Sequence, residues 1–277
     1  MSERMASFPI FDVLEHNESL KSFYFTLPFR ADPGQFVMLW LPGVDEKPFS
    51  VSAVLVGLTE ITVRAVGPFT RRLMECRRGD RLGVRGPFGK GFPIEPGMVL
   101  AGGGMGIAPI CHLARELGSR GLPFSLLLGA RTGQDLIFVP DMMEAGAELF
   151  TEDGTVGRKG LVTDGLAEAL RRDGVTGVCA CGPEAMLAAV WRAAASAGVP
   201  CRLALERYMK CGIGVCGQCC LDVSGVRVCR EGPVLGAEDL AWVTELGSAH
   251  RDASGMRGRE GRGGEDRSQR SKVKSKK

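Results

Sequence analysis

Four cysteines, Cys211, Cys216, Cys219 and Cys229, form a C-x4-C-x2-C-x9-C array, and the first three share one glycine-rich stretch, Cys211-Gly212-Ile213-Gly214-Val215-Cys216-Gly217-Gln218-Cys219. Glycine enters backbone conformations that other residues avoid, so this stretch is suited to a tight loop and unsuited to a helix or strand. Cys-x4-Cys-x2-Cys is also the spacing of a [2Fe-2S] site, in which thiolates hold iron while the backbone curls around the inorganic core. The segment is expected to fold around such a core, and the chain to move electrons.

Two other uses of thiols compete with this reading. A structural zinc site usually shows two Cys-x2-Cys knuckles separated by a longer run, and only one knuckle, Cys216 to Cys219, is present. A disulfide framework is too dilute at ten cysteines in 277 residues, and the N-terminal residues do not read as a secretory leader. Spacing fixes the fourth ligand less firmly than the first three, because Cys220 stands beside Cys219 as a rival thiolate. Cys229 is the expected ligand, since Val226-Arg227-Val228 reads as a short strand that returns it to the loop.

The rest of the chain must supply ordinary cores. Hydrophobic residues make up 44% of the sequence, enough for two modest domains and a small module. The formal net charge is +3, but Arg251 to Lys277 holds ten basic and four acidic residues, a local +6, so residues 1–250 carry −3. That basic tail, taken from residue 247, has almost nothing apolar and is expected to be disordered. It has no aromatic residue either, so nucleic-acid binding is not expected of it, and no function is assigned. The uncharged run Pro96 to Leu113 is broken by Gly97, Gly102, Gly103, Gly104 and Gly106, and so reads as strand, loop and helix start, not as a membrane span. Free thiols and a sulfide cluster favour a reducing compartment, so a cytoplasmic protein is expected.

Up to about residue 95 the chain shows short apolar runs, Phe23 to Leu27, Phe36 to Leu41, Ser50 to Val56 and Ile61 to Val66, punctuated by Pro and Gly. Such spacing suggests a small antiparallel barrel. Strand-like and helix-like segments then alternate: Met98 to Ala101, Pro109 to Leu117, Phe124 to Leu128, Leu161 to Arg171, Gly177 to Ala180 and Glu184 to Ala197. This is the pattern of an α/β unit with a parallel sheet. The expected organisation is therefore multidomain β plus α/β: a β-barrel over 1–95, an α/β domain over 96–205, a cysteine module over 206–246 and the tail over 247–277.

Val99-Leu100-Ala101 empties into Gly102-Gly103-Gly104-Met105-Gly106-Ile107-Ala108-Pro109, a strand, a glycine loop and a helix with Pro in its first turn. Bare glycines let the backbone approach a pyrophosphate, and a helix start offers free N–H groups; a tight strand-to-helix turn needs glycine as well. Cys181-Gly182-Pro183-Glu184 repeats the logic after another strand. In the first half, Lys47-Pro48-Phe49-Ser50 opens a strand, and Gly67-Pro68-Phe69-Thr70 precedes Arg71-Arg72. Thr70 has the composition of a helix N-cap, and two arginines in a first turn oppose the helix dipole unless an anion sits there.

Together these residues resemble the ferredoxin reductase superfamily and, within it, the electron transfer subunits of the NAD-dependent, heterotetrameric dihydroorotate dehydrogenases. Lys47 to Ser50 is similar to that family's Arg-Pro-x-Ser flavin motif, with Lys47 where Arg is common, so a bidentate phosphate grip becomes a point-charge contact. Val66 to Thr70 resembles its second FAD loop, Gly102 to Pro109 its nucleotide loop, Cys181 to Pro183 its nicotinamide-side motif, and Glu206 to Cys211 the lead-in to its cluster. The cofactor-binding residues this implies are Lys47, Pro48, Phe49, Ser50, Thr62, Val63, Arg64, Gly67, Phe69 and Thr70 in the first domain. In the second they are Gly102, Gly103, Gly104, Gly106, Pro109, Cys181, Gly182 and Pro183.

The resemblance implies FAD, a [2Fe-2S] cluster and NAD as cofactors. It also implies an FMN-containing catalytic subunit as partner in a heterotetramer. That partner oxidises dihydroorotate, in pyrimidine biosynthesis, and its electrons pass through the cluster and FAD to NAD+. A cluster carries one electron, nicotinamide takes two as hydride, and a flavin does both. No paired acid and base for pyrimidine chemistry is visible, and His16, His112 and His250 read as incidental, so no catalytic residue is assigned to this chain. Arg131 with Thr132 after the Leu126 to Leu128 strand suits a 2′-phosphate and equally ribose-side oxygens or solvent, which leaves NADP open. The rival reading is a diaphorase subunit of a soluble hydrogenase or a ferredoxin–NADP reductase-like complex; a colourless zinc-bearing nucleotide module is the reading without redox chemistry.

Overall fold

The computed structural model describes residues 2–259 apart from 242, 244, 245, 248 and 253. The tail expected from residue 247 lies largely outside these; of it, Ala249–Arg251 pairs antiparallel with Arg257–Arg259.

The first part of the chain forms β1 (Ser2–Pro9), β2 (Asp12–Asn17), β3 (Leu20–Phe25), β4 (Phe36–Leu41), β5 (Asp45–Ser50), β6 (Ala53–Leu55), β7 (Leu58–Arg64), α1 (Pro68–Leu73) and β8 (Arg81–Phe88). They make two four-stranded antiparallel sheets, ordered β1-β8-β4-β5 and β2-β3-β7-β6. Between them Phe23, Phe25, Val37, Leu39, Val51, Ile61, Val63, Leu82 and Val84 pack as one core. β4 is apolar on both faces for a reason: Val37 and Leu39 enter this core, while Phe36 and Met38 point the other way and are also buried. The expected single strand Ser50 to Val56 is two, because the chain crosses between the sheets at Val51 and Ser52. There the Ser52 hydroxyl accepts the Thr62 N–H at 2.8 Å in place of a ladder bond.

The second part runs β9 (Met98–Gly103), α2 (Ile107–Ser119), β10 (Phe124–Ala130), α3 (Val139–Glu144), β11 (Glu148–Thr151), β12 (Arg158–Lys159), α4 (Val162–Ala169), β13 (Gly177–Cys181), α5 (Glu184–Ala197) and β14 (Cys201–Ala204). A later strand, β15 (Val234–Leu235), completes a seven-stranded sheet of order β12-β11-β10-β9-β13-β14-β15, parallel except at β14-β15. Alternation along β9 sorts the two faces: Leu100 packs with Ile107, Ile110 and Leu117 of α2, and Val99 and Ala101 with Leu166 of α4 and Leu187 and Val190 of α5. Chain order reverses at β9, which has β10 on one side and β13 on the other, so the crevice at the carboxyl ends of β9 and β13 is the topological switch point.

Between β14 and β15 lies the cysteine module, followed by α6 (Ala237–Leu240). Met209, Cys219, Leu221, Val228, Cys229 and Leu235 are buried in one continuous core with Phe36, Met38 and Phe88 of the first part and with Val178 and Leu187 of the second. Each large apolar side chain buried there contributes about 1.5–3 kcal/mol, so the module is fastened to both. Lys90 N–H donates to Gly232 O at 2.5 Å, a further tie to the first part. No helix among the described residues is long and apolar enough to cross a membrane.

Candidate redox site

The loop from Cys211 bends at Gly212, Gly214 and Gly217, with φ of +70°, +81° and +70°, conformations that a side chain would strain. The bends aim backbone N–H groups at sulfur. Cys211 Sγ accepts from Val215 at 3.3 Å and Cys216 at 3.4 Å, Cys229 Sγ from Gly214 at 3.1 Å, and Cys219 Sγ from Cys229 at 3.4 Å. Burial opposes ionisation of Cys211, yet the N–H groups of Cys216, Ile213 and Val215 outweigh it and bring its pKa down to about 6. The Cys229 thiol donates to Cys219, which lowers Cys219 to about 7 and raises Cys229. Thiolate character is what a metal ligand requires. Cys220 takes none of these N–H bonds, and burial beside the Cys219 sulfur pushes its pKa up.

Among the described residues no three His, Cys, Asp or Glu side chains converge on one point as ligands of a single metal ion. The donor set is all thiol, and its C-x4-C-x2-C spacing, with backbone N–H groups aimed at Cys211 and Cys229, fits a [2Fe-2S] core. The expected strand Val226 to Val228 is one bridge, Cys220 to Arg227, flanked by Leu221 N–H to Val226 O at 2.9 Å and Val228 N–H to Cys219 O at 3.3 Å. A turn held by Gly225 N–H to Leu221 O leaves no room for more, yet the pairing does return Cys229 to Cys219.

At the switch point the two glycine loops touch. Gly106, which caps α2, lies so close to the second loop that a Cβ there would stand 2.3 Å from the Cys181 carbonyl. A Cβ on Gly103 would meet Met186 Sδ at 2.4 Å and Pro183 at 3.1 Å, and one on Gly182 would meet Gly103. Gly102 is pressed against Leu128 and Ile107, whereas Gly104, at φ +54°, faces open space. Pro109 falls in the first turn of α2 as expected, and the half-buried Gly104 lies just before this helix start, an end that favours an anion. Cys181 is buried, and its pKa is raised by that burial and by the Glu206 carboxylate.

On the first domain, Phe49 stacks on Phe69 with ring centroids 5.9 Å apart, which brings Lys47 to Ser50 and Gly67 to Thr70 together. Ser50 ends β5 opposite Phe36, and Pro48 lies opposite Met38. Lys47 Nζ pairs with Asp45 and donates to the Tyr208 hydroxyl at 3.0 Å, 5.0 Å from the Tyr208 ring centroid. Partial burial works against its charge, but Asp45 and Tyr208 outweigh that and hold its pKa above the ordinary lysine value.

Thr70 is not the N-cap; Gly67 is, and the Thr70 hydroxyl reaches back to accept the N–H groups of Val66 and Gly67, both at 2.9 Å. Because α1 is six residues long, Arg71 and Arg72 lie in its last turn, where the dipole favours cations, and the conflict expected from the sequence does not arise. The side chains of Thr62 to Arg64 have partners of their own. Thr62 bonds to the Ser22 hydroxyl at 2.8 Å, Val63 is in the barrel core, and Arg64 pairs with Asp135 across the domain boundary. Thr132 also holds Asp135, at 3.1 Å.

Three contacts carry no local sequence signal. The ion pair Arg207 Nη2 to Glu184 Oε1, at 2.7 Å, is buried on both sides, with side chains 4% and 7% exposed. Across the domain boundary, His112 Nδ1 lies 3.2 Å from Val51 O and Arg115 Nη1 donates to Ser52 O at 3.2 Å, so α2 sits on the chain just after Ser50. A carbonyl only accepts, so Nδ1 of His112 carries the proton. His16 lies 2.9 Å from the Ser22 hydroxyl.

The family model of an oxidoreductase NAD-binding domain matches residues 100–192, and that of the iron–sulfur cluster binding domain of dihydroorotate dehydrogenase B matches residues 206–241. A solved NADH-dependent reduced ferredoxin–NADP oxidoreductase, described for flavin-based electron bifurcation, superposes with a TM-score of 0.77 at 31% identity, over 87% of this chain and 91% of its own. A ferredoxin–NADP+ reductase from Neisseria gonorrhoeae with bound FAD and NADP shares the fold, with a TM-score of 0.60 at 19% identity, over 70% of this chain and 92% of its own. The architecture and the cysteine loop thus define an iron–sulfur oxidoreductase with a ferredoxin-reductase-like fold.

Probable dihydroorotate dehydrogenase B (NAD(+)) electron transfer subunits are similar over nearly their whole length. The one from Methanocaldococcus jannaschii is 40% identical over 89% of this chain and 95% of its own, and the one from Methanothermobacter thermautotrophicus 43% over 88% and 94%. The chain belongs to the family of dihydroorotate dehydrogenase B electron transfer subunits.

Proposed function

We propose that this chain carries electrons between a dihydroorotate-oxidising partner subunit and NAD+. In this reading Cys211, Cys216, Cys219 and Cys229 hold a [2Fe-2S] cluster. Lys47 to Ser50 and Gly67 to Thr70 hold FAD, and Gly102 to Pro109 with Cys181 to Pro183 hold the nicotinamide nucleotide. Bound flavin supplies the exchange between single electrons and hydride. The chain's own residues donate N–H bonds to the thiolates and keep Cys181 neutral by burial. The observation that carries the proposal is the packing of the cysteine module, Cys219 and Cys229 included, into one core with β4, β8 and α5.

The partner is an FMN-containing subunit that does the pyrimidine chemistry, the assembly is a heterotetramer, and the compartment is the cytoplasm. The exposed Cys216 and Val215 put the cysteine loop at the surface where such a partner would dock. The test is anaerobic co-expression with a candidate dihydroorotate-oxidising subunit. A co-purifying complex should reduce NAD+ when given dihydroorotate. The likeness to the ferredoxin–NADP oxidoreductase favours a second reading, in which ferredoxin replaces that subunit. Ferredoxin-linked NAD(P) turnover without orotate formation would establish that second reading in place of the first.

A further inference from the structure

One six-residue segment, Glu206 to Cys211, touches all three cofactor regions. Arg207 meets Glu184, the first residue of α5 and the residue after Cys181-Gly182-Pro183, at 2.7 Å with both side chains buried. The next residue, Tyr208, accepts from Lys47 of the flavin-side motif at 3.0 Å. Met209 is buried in the same core as Phe36, Met38 and Phe88, and Cys211 is the first thiol of the cluster loop. Arg207 Nη1 also donates to Glu206 O at 2.7 Å, which stiffens the segment itself.

A buried ion pair is a poor source of stability, because desolvation offsets the attraction. What it does supply is a fixed geometry, since neither charge tolerates leaving the other. The Tyr208 contact adds a second constraint from a different direction.

We infer that Arg207 and Tyr208 are positioning residues that set the cysteine loop in register against the nucleotide loop and the flavin-side motif. The inference rests on the proposed relay only for its consequence; the register itself is a property of the chain. Arg207 fixes the distance to the start of α5, and Tyr208 fixes it to β5.

The test uses the full chain supplied with iron, sulfide and FAD. Glu184→Gln alone strands a buried arginine and is expected to lower stability. The double variant Glu184→Leu with Arg207→Met replaces both charges by apolar groups, a change buried pairs often tolerate. It should regain the melting temperature and keep the visible and EPR spectra of the cluster. Amide hydrogen exchange over 206–219 should nevertheless quicken roughly tenfold, as expected of a segment released locally. Reduction of the cluster by NADH should slow by a similar factor, with flavin reduction by NADH unchanged; two electrons enter as hydride and leave one at a time.

Tyr208→Phe keeps the ring over Lys47 and removes only the hydroxyl. About fivefold faster exchange over 206–211 is expected, the equivalent of one hydrogen bond. Wild-type exchange and wild-type cluster reduction in the stable double variant would overturn the role of Arg207, and unchanged exchange in Tyr208→Phe that of Tyr208. If the double variant does not fold, the pair is needed for folding itself, the register role of Arg207 is withdrawn, and Tyr208→Phe decides the rest. A wild-type chain whose cluster NADH never reduces, but whose variants still show faster exchange, would sink the relay and leave the register standing.

Discussion

The cysteine loop and the loop at the start of α2 are both dense in glycine, and glycine does different work in each. In the cysteine loop the need is conformational: Gly212, Gly214 and Gly217 all have positive φ and turn N–H groups toward sulfur. In the nucleotide loop the need is mostly one of space. Gly103 and Gly106 have ordinary negative φ, but a Cβ on either would collide with the loop that follows β13. Sequence shows the same letter in both places. Only the structure tells a bent backbone from a crowded one, and the two kinds respond differently to the same substitution.

The hardest test of the cysteine side is Cys216→Ser. It should abolish the cluster's visible absorption and EPR signal and all NAD+-linked turnover, while FAD remains bound; retention of that turnover would break the comparison at its root. On the crowded side, Gly106→Ala should destabilise the chain by about 3 kcal/mol, since backbone atoms, not a flexible side chain, stand in the way. Thermal unfolding and NAD+ titration calorimetry check this, the latter with affinity expected to fall roughly tenfold or more.

Acid should loosen the nucleotide side by a comparable amount. Burial, partly opposed by the bond to Val51 O and by Glu116, lowers the His112 pKa from 6.5 to about 4. Above pH 6.5 the imidazole is neutral in both folded and unfolded chains, so nothing changes. As pH falls from 6.5 toward 4 the unfolded chain binds the proton first, and stability drops by about 1.4 kcal/mol per pH unit. Urea unfolding of the Cys216→Ser chain isolates this from cluster chemistry, and His112→Gln should remove that part of the slope.

The smallest effects sharpen the contrast. Gly214→Ala adds a positive-φ side chain that also meets Arg230 Cδ at 2.7 Å, and about 2 kcal/mol of destabilisation is expected. Gly104→Ala has only the backbone term, because its Cβ would enter open space, and about 1 kcal/mol should be seen in the same unfolding assay.

What could be read from sequence follows from how local each signal is. The helix Glu184–Ala197 and the strand Phe36–Leu41 are found where periodicity and apolar runs put them. β8 escaped, because Gly83, Gly86 and Pro87 look like breakers; Gly83 is there because Met5 and Trp40 close over it, within 2.8 Å of where a Cβ would stand. β12 and β15, two residues each, have no period to detect. In the site, the thiol spacing and the two glycine loops are contiguous in sequence and were legible. The Lys47–Tyr208 contact joins residues 161 positions apart, and the Arg207–Glu184 pair joins two domains, so neither leaves a pattern in a single chain. Arg71 and Arg72 misled because helix length, not composition, decides which dipole end they meet.

The central claim is that the cysteine loop and a flavin exchange electrons within this one chain. Anaerobic titration of the purified chain, supplied with iron, sulfide and FAD, with NADH tests it directly. The account predicts bleaching of the flavin absorbance together with growth of the EPR signal of a reduced [2Fe-2S] cluster. Flavin bleaching with a cluster that stays oxidised, or a chain that takes up neither chromophore, would contradict it.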